Sequence, residues 1–566
     1  MPLLLIYTCI FELLYLLLII LSPLPGLHLS RTPLSDLMPW LLRPSQLLLA
    51  TLQPIMGSAE QSAWFSALLL AIVFVGLIST YIGAMTSILR LRNGETITRR
   101  WLYLLLGGAL LFGLTLLLQP MLFSDEVFTY IFSGRILTTY GADPLNTVPT
   151  QFPSDPYLHW LVSGLNAPNI YGAFWLCISA LLATFSNTPV ISLLLFKGTA
   201  LCAHLINCIL IWAILSKIAP TRHLLGTLLY AWNPLALIEL AGSGHSEGVL
   251  LSLLLLATWL YILQWTRPSL RSDNSSQEVA SHGPHATPVA PVMGNYREVA
   301  LFRVAALIIF GLAISTNFIT LLIAPLYIWF DLRAVRSMTH RLWGFCWQAL
   351  LMLMPAILFL LPFWRGASTF FAITSSMDIE HFVHAPVGLL AVPMRTLYNF
   401  IATRGHLPAI VQPATAADLT LRASTIFIFV LIYATLFAQV RRAPITPEGS
   451  DSSSGNTSAQ EVRSISLDVL FNSCSIAVFW FMVLVSGWFW PWYILWLLWV
   501  VVLRRFDIFT TVILLLSGTA LFIYTVVGFS RAPLATYQSA LIFGIPLIYL
   551  GIAVSRLRLR KRMTHD

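Results

Sequence analysis

The chain has 566 residues, of which 58% are hydrophobic, 13% aromatic and only 10% charged, with a mean hydropathy of +0.81. That composition excludes a soluble domain and points to an all-α polytopic transmembrane bundle, because lipid leaves long apolar runs no alternative to the helix. The net charge of +9 sits in short Arg and Lys clusters between apolar runs; positive-inside topology explains these more simply than nucleic-acid binding, so no nucleic-acid partner is expected.

Residues 2–21 are apolar, lack a basic leader and carry Glu12, which reads as a retained first helix. The run 64–89 ends in Arg90, Arg92, Arg99 and Arg100, which assigns that end to the cytoplasm. The run 101–118 then emerges on the far side, so 119–169 is a first outer loop and the N-terminus is cytoplasmic. Apolar runs follow at about 170–186, 190–216, 222–240 and 247–265. A Ser-, Pro- and His-rich segment, 268–298, lacks periodicity and is expected to be disordered. Runs resume at about 300–315, 317–332 and 343–363. A long non-helical second outer loop, 365–420, separates them from runs at about 422–440, 467–486, 489–503, 508–528 and 536–556. The Ser-rich loop 443–465 is expected to be disordered and cytoplasmic, as is the basic C-terminus, 556–562, by its charge. The whole chain, 1–566, reads as a single membrane domain of about 13–15 helices. Two cytoplasmic termini demand an even number of crossings. The short run 170–186 is therefore expected to dip in and return, which places Lys217 and Arg222 inside and 241–247 outside; the alternative merges 300–315 and 317–332 into one broken helix. Six cysteines lie in or beside apolar runs without metal-ligand spacing and read as small hydrophobes.

The stretch 123–145 organises the rest. Acids are scarce, 23 in the chain, yet Asp125 and Glu126 stand side by side just past a bilayer edge. Ionisable groups in that position mark function by default. Val127, Phe128, Ile131, Phe132 and Ile136 recur at helical spacing, which predicts a short amphipathic helix along the membrane surface with acids at its favoured N-terminal end. Arg135 on that helix lies ~15 Å from Asp125 at about 1.5 Å per residue, a spacing that suits a phosphate clamp or an interfacial arginine equally. Tyr130 and Tyr171 are candidate pocket residues, and packing explains them nearly as well.

A second stretch, 230–247, contains Asn233 and Pro234, which must break a helix, then Glu239, His245 and Glu247 in apolar surroundings. Glu239 is as easily a structural partner of Lys197 as a working group. His245 and Glu247, in a Gly-flanked bend, favour function. A third, 486–496, holds Trp490-Pro491-Trp492-Tyr493. An interfacial belt accounts for Trp496 and Trp499. The Pro-pinned corner of Trp490, Trp492 and Tyr493 better suits the faces of a sugar or a prenyl chain. Arg365 opens the second outer loop, where His381 and His384 accompany Asp378 and Glu380.

The acidic pair in the first outer loop, the following Tyr130, Gly134-Arg135 and Gly141-x-x-Pro144, together resemble the GT-C superfamily of polytopic glycosyltransferases. The Trp-Asn-Pro…Glu…Gly-His-Ser-Glu and Pro-Trp-Tyr-Ile-Leu-Trp stretches are similar to its bacterial α-1,6-mannosyltransferase branch. The resemblance runs from about residue 100 to the C-terminus. It implies transfer of a sugar, mannose in that branch, from a polyprenyl-phosphate donor to a glycan or lipid acceptor at the outer face of the cell membrane. It further implies that a loop acid, Asp125 or Glu126, acts as base or helps hold a metal, with Mg or Mn the cofactor in question. The branch has His-Asn-Asp where this chain has His245-Ser246-Glu247, and Asn317 stands where a basic residue is common, so no phosphate-binding role carries over there. Inverting transfer needs one base and positive charge near an anionic leaving group; Asp125 is the expected base and Glu126 its helper. The rival class is a transporter or flippase of lipid-linked saccharides, which predicts inverted repeats and charges near the bilayer midplane.

Overall fold

Ten helices among the described residues are long and apolar enough to cross a membrane, or eleven when His223–Ala231 and Pro234–Gly242, bent by 49° at their junction, count as one passage. The structure is a computed structural model that describes residues 2–91, 99–169, 171–266, 294–369, 382, 384–405, 412–445, 455–526 and 532–563. Four shorter apolar helices, Ala173–Thr184, Ala300–Thr316, Thr320–Asp331 and Pro491–Val501, complete the bundle. This is an all-α polytopic membrane protein. The one sheet among the described residues is a pair of two-residue strands, Ser30–Arg31 against Met121–Leu122.

Contacts between sequence-distant residues sort the helix ends into two groups. At one end lie the acidic pair and its neighbours. Ser30–Arg31 pairs beside it, Phe123 packs on Tyr524 at 4.9 Å, and Tyr524 reaches Glu239. Gly172 N donates to Thr316 O at 3.3 Å, and Ser539 Oγ donates to Ala385 O at 3.0 Å. At the other end Asp331 receives Arg303, Tyr261 and Gln348, and Asp468 receives the Arg505 backbone N–H at 2.8 Å. Arg222, Arg504 and Arg505 share this second end. The Ala173–Thr184 helix packs against Glu126–Thr138 at the acidic end, where a Cβ on Gly134 would meet Ser179, and its 12 residues are fewer than those of the helices long enough to cross. It falls within the run 170–186, for which the sequence suggests a segment that dips in and returns.

Several expectations need correction. The second outer loop is not wholly irregular: it contains the helix Gly388–Thr403, and Pro413–Arg441 begins before 420. Asp378, Glu380 and His381 lie outside the described residues. Most of 268–298 does too, and its last part already belongs to the helix Gly294–Thr316. Within 443–465 the chain is helical from Gly455, and 446–454 falls outside the described residues. The 123–145 helix, Glu126–Thr138, is not one-faced. Val127, Phe128, Tyr130, Ile131, Phe132, Ser133, Gly134 and Ile136 are all buried, which takes in most of its circumference. The reason is that residues 142–169 and the helix Ala173–Thr184 cover the face that a surface helix would leave to water, and Tyr157, Leu161 and Trp175 join its core.

Candidate active site

The helix Arg99–Leu117 delivers the chain to the acidic pair. Its C-terminal carbonyls are fastened by Lys197, whose buried Nζ donates to Leu116 O at 2.9 Å and Leu117 O at 3.0 Å. A cation at a helix C-terminus is favoured by the aligned peptide dipoles. Lys197 therefore does not pair with Glu239, the partner that sequence alone suggested. Past Pro120 the chain turns, and Asp125 occupies the N-cap of Glu126–Thr138 without capping it by its side chain. Instead Asp125 Oδ2 accepts from Ser163 N at 2.9 Å and Ser163 Oγ at 2.8 Å. Both acids are partly exposed.

The second element is the break at Asn233-Pro234. Asn233 Oδ1 caps the new helix by accepting from Ala236 N at 3.2 Å, and Asn233 Nδ2 donates to Ser517 Oγ at 3.1 Å. The helix then widens into a π-helical turn, Ile238–Gly242, a distortion that concentrates at functional sites. Gly244, at φ +78°, reverses the chain, and a Cβ there would meet Val127 and Lys197. This reversal folds His245 back between two carboxylates. Its Nε2 lies 3.2 Å from Glu239 Oε2 and its Nδ1 lies 3.7 Å from Glu247 Oε2. Tyr524 donates to the other oxygen of Glu239 at 2.7 Å. All three charged side chains are buried.

The two elements meet. Burial pushes the Glu126 carboxyl up to about 7, with Asp125 and Glu247 adding to the rise and His245 opposing it. Burial works against the His245 imidazolium, but Glu239, Glu247 and Glu126 together outweigh burial and hold its pKa above the usual histidine value. Glu126 beside His245, with two further carboxylates within reach, is a set of titratable groups whose environments are coupled.

The third element is an aromatic column. His245 stacks on Trp492 at 4.3 Å and 25°; Trp492 stacks on Trp490 at 5.3 Å and 4°; His384 sits edge-on to Trp490 at 4.9 Å. His384 has φ +55° and pairs through its backbone with Trp488. A non-glycine residue in that region is costly and is held there by its surroundings. Tyr493 stacks on Trp496 at 4.1 Å and lies within the field of Glu126 and Glu247. Tyr130, close to Glu126, Glu247 and Ser246, meets Tyr171 edge-on at 4.7 Å.

Nine of the expected site residues thus converge: Asp125, Glu126, Tyr130, Tyr171, His245, Glu247, Trp490, Trp492 and Tyr493. The two arginines are engaged otherwise. Arg135 donates through Nε at 3.1 Å and Nη2 at 2.7 Å to Asp155, and its guanidinium lies 3.9 Å over the Tyr157 ring. Tyr140 and the Tyr157 backbone N–H also donate to Asp155. Arg365, largely exposed, lies 3.8 Å from Asp143. Ser163, Glu239 and Tyr524 join the site without having been selected. Ser163 carries no pattern in its loop, and Tyr524 is one hydroxyl in an apolar helix; only Glu239, an acid at membrane depth, gave a signal. A cleft of about 310 Å³ at the basic end, lined by Tyr261, Arg303, Asp331 and Gln348, is the wrong kind of site for this chemistry. Its one acid is already neutralised by Arg303.

Among the described residues no three His, Cys, Asp or Glu side chains converge as a metal-ligand group. Asp125 and Glu126 could supply two carboxylates to a divalent cation, whose shell phosphate and water would help complete, as is common for Mg²⁺. No curated protein and no solved structure matches the chain. A family model described as "Alpha-(1->6)-mannopyranosyltransferase, N-terminal domain" matches residues 38–333, more than half of the chain.

Proposed function

Because the chain belongs to the alpha-(1->6)-mannopyranosyltransferase family, and is therefore a membrane mannosyltransferase, we propose that it moves mannose from a polyprenyl-phosphate donor to a glycan or lipid acceptor at the outer face, with inversion. The observation that carries this reading is the meeting of the partly exposed Asp125-Glu126 pair with the buried Glu239-His245-Glu247 cluster at one end of the bundle.

Asp125 takes the acceptor hydroxyl proton as the acceptor oxygen attacks the anomeric carbon. The bond from that carbon to the phosphate oxygen breaks, and the phosphate leaves with the electron pair as an anion that needs no acid. Ser163 engages Oδ2 twice, which fixes the carboxylate and leaves Oδ1 to receive the proton. Glu126 lies one residue on, within the field of His245, and positions the acceptor or shares a bound cation with Asp125. The Glu239–His245–Glu247 arrangement fixes the His245 ring between two carboxylates, which favour its protonated form. The flat Trp490–Trp492 pair offers an apolar face to a sugar ring or an isoprene unit. A divalent cation, where bound, would neutralise phosphate oxygens.

A transporter of lipid-linked saccharides would use the same residue types, but its ionisable groups would lie at the midplane between repeats. Here they gather at one end. Purified protein incubated with a panel of polyprenyl-phosphate sugars decides the matter by mass spectrometry of the products. The mannose donor alone should yield a new glycoside. Product from another sugar, or relocation of intact lipid without a new bond, contradicts the assignment.

A further inference from the structure

At the end of the bundle remote from the acidic pair, the helices His223–Ala231, Leu495–Val501 and Ile508–Ala520 border a shallow cleft open to the surroundings. Its walls divide by chemistry. Leu225, Leu229 and Val501 form an apolar side; Arg222, Arg504 and Thr510 form a polar one. Three arginines gather at this spot, because Arg222 lies within the field of both Asp468 and Arg505, with Asp468 the stronger influence. Two acids answer them: Asp507 accepts from Arg504 Nη2 at 2.6 Å, and Asp468 lies 3.7 Å from Arg505. Arg222 forms no ion pair among the described residues.

Two guanidinium nitrogens here are buried without a hydrogen-bond partner among the described residues, Arg222 Nη1 and Arg504 Nε, and Arg504 is only 7% exposed. Buried donors of charged groups are expensive to leave unmade. The same cleft receives the start of the His223–Ala231 helix, whose N-cap, Arg222, supplies no side-chain cap, so its first N–H groups and the positive end of its dipole face this region. Excess positive charge, orphaned donors and an uncapped helix start all ask for one kind of ligand, an anion with several acceptor oxygens. The apolar wall beside it asks for a hydrocarbon continuation.

We propose that this cleft is a binding site for the phosphodiester headgroup of an anionic phospholipid in the leaflet opposite the transfer site, with Arg222 and Arg504 on the phosphate and Leu225, Leu229 and Val501 against the glycerol and proximal acyl chains. The site is separate from the donor-lipid site, and its occupant is a structural lipid that fills the unmade bonds where three helices meet. Binding to the folded state alone raises stability by mass action.

The test uses the full chain purified in neutral detergent. Thermal unfolding is followed on adding phosphatidylglycerol, phosphatidylcholine or inorganic phosphate, and retained lipid is counted by native mass spectrometry. Phosphatidylglycerol should raise the unfolding temperature and stay bound; phosphatidylcholine and inorganic phosphate should do neither at equal concentration. Arg222→Gln should weaken phosphatidylglycerol binding about tenfold, the loss of one charge-assisted contact worth about 1.4 kcal/mol. Arg222→Lys should restore most of it. Arg90→Gln, an exposed arginine outside the cleft, should leave it intact and reports on general electrostatics. Equal stabilisation by inorganic phosphate, or unchanged lipid binding in Arg222→Gln, overturns the proposal.

Discussion

Glu126 ties local environment to a measurable pH dependence. Its folded pKa, about 7, stands above the ordinary value of 4.5, so between those values the native state keeps a proton that the unfolded chain has released. Stability must then fall as pH rises through that window and level off above it. His245, also raised, acts in the same sense, since its proton is lost as pH climbs through its folded value. The unfolding temperature of detergent-purified protein should drop between pH 5 and pH 7, and Glu126→Gln should flatten the drop; an unchanged slope means Glu126 is better hydrated than its surroundings indicate. Arg135 poses a different question. The Asp155 side chain is fully buried and Arg135 is partly buried. Burial raises the Asp155 pKa, but Arg135, Tyr157 and Tyr140 together bring it below the usual carboxylate range. Removing one member of a buried pair strands the other, at about 3–5 kcal/mol. Arg135→Met should destabilise by about that much in denaturant unfolding, and Arg135→Met with Asp155→Leu should recover part of it. If Arg135 instead clamps the donor phosphate, the single variant unfolds normally and shows a raised KM for donor.

Among the elements, the aromatic column is the least expected feature. Trp490, Trp492 and Tyr493 were legible as a Pro-pinned corner, but nothing in local sequence says that His245, some 250 residues earlier, stacks beneath Trp492 or that His384 closes the far side. Those pairings are decided by which helices cross, not by spacing along one of them. The broken helix was more legible: Asn233-Pro234 forces the break in any fold, and the cap forms as the residue types require. The Glu126–Thr138 helix shows the opposite error, because apolar residues at helical spacing cannot reveal that a loop will cover the remaining face. Arg135 was legible as charge but not as a pair, since Asp155 lies 20 positions away in an irregular segment. If the column orients His245, Trp492→Ala should lower kcat about tenfold, while Trp499→Ala, equally deep in the bundle but outside the column, should act only through stability. Equal kinetic losses from both would remove any special role for the stack.

For the whole molecule the decisive property is the separation of two clusters: Asp125, Glu126, Glu239, His245 and Glu247 at one end, and Arg222, Arg504 and Arg505 with Asp468 and Asp507 at the other. The charge pattern of the loops is the sequence signal for this arrangement, and the Ala173–Thr184 helix, at 12 residues, is shorter than the helices long enough to cross. The proposed outer site makes a direct claim on topology. In intact cells a membrane-impermeant maleimide should label Ser163→Cys and spare Arg90→Cys; the reverse labelling would move the chemistry to the cytoplasmic face. The central claim is that this end of the bundle deprotonates an acceptor through Asp125, and the most direct measurement is mannosyl transfer by Asp125→Asn in protein with wild-type thermal unfolding. A missing general base costs about 10²- to 10⁴-fold, so activity should fall within that range with donor binding retained. Transfer at the wild-type rate would contradict the account.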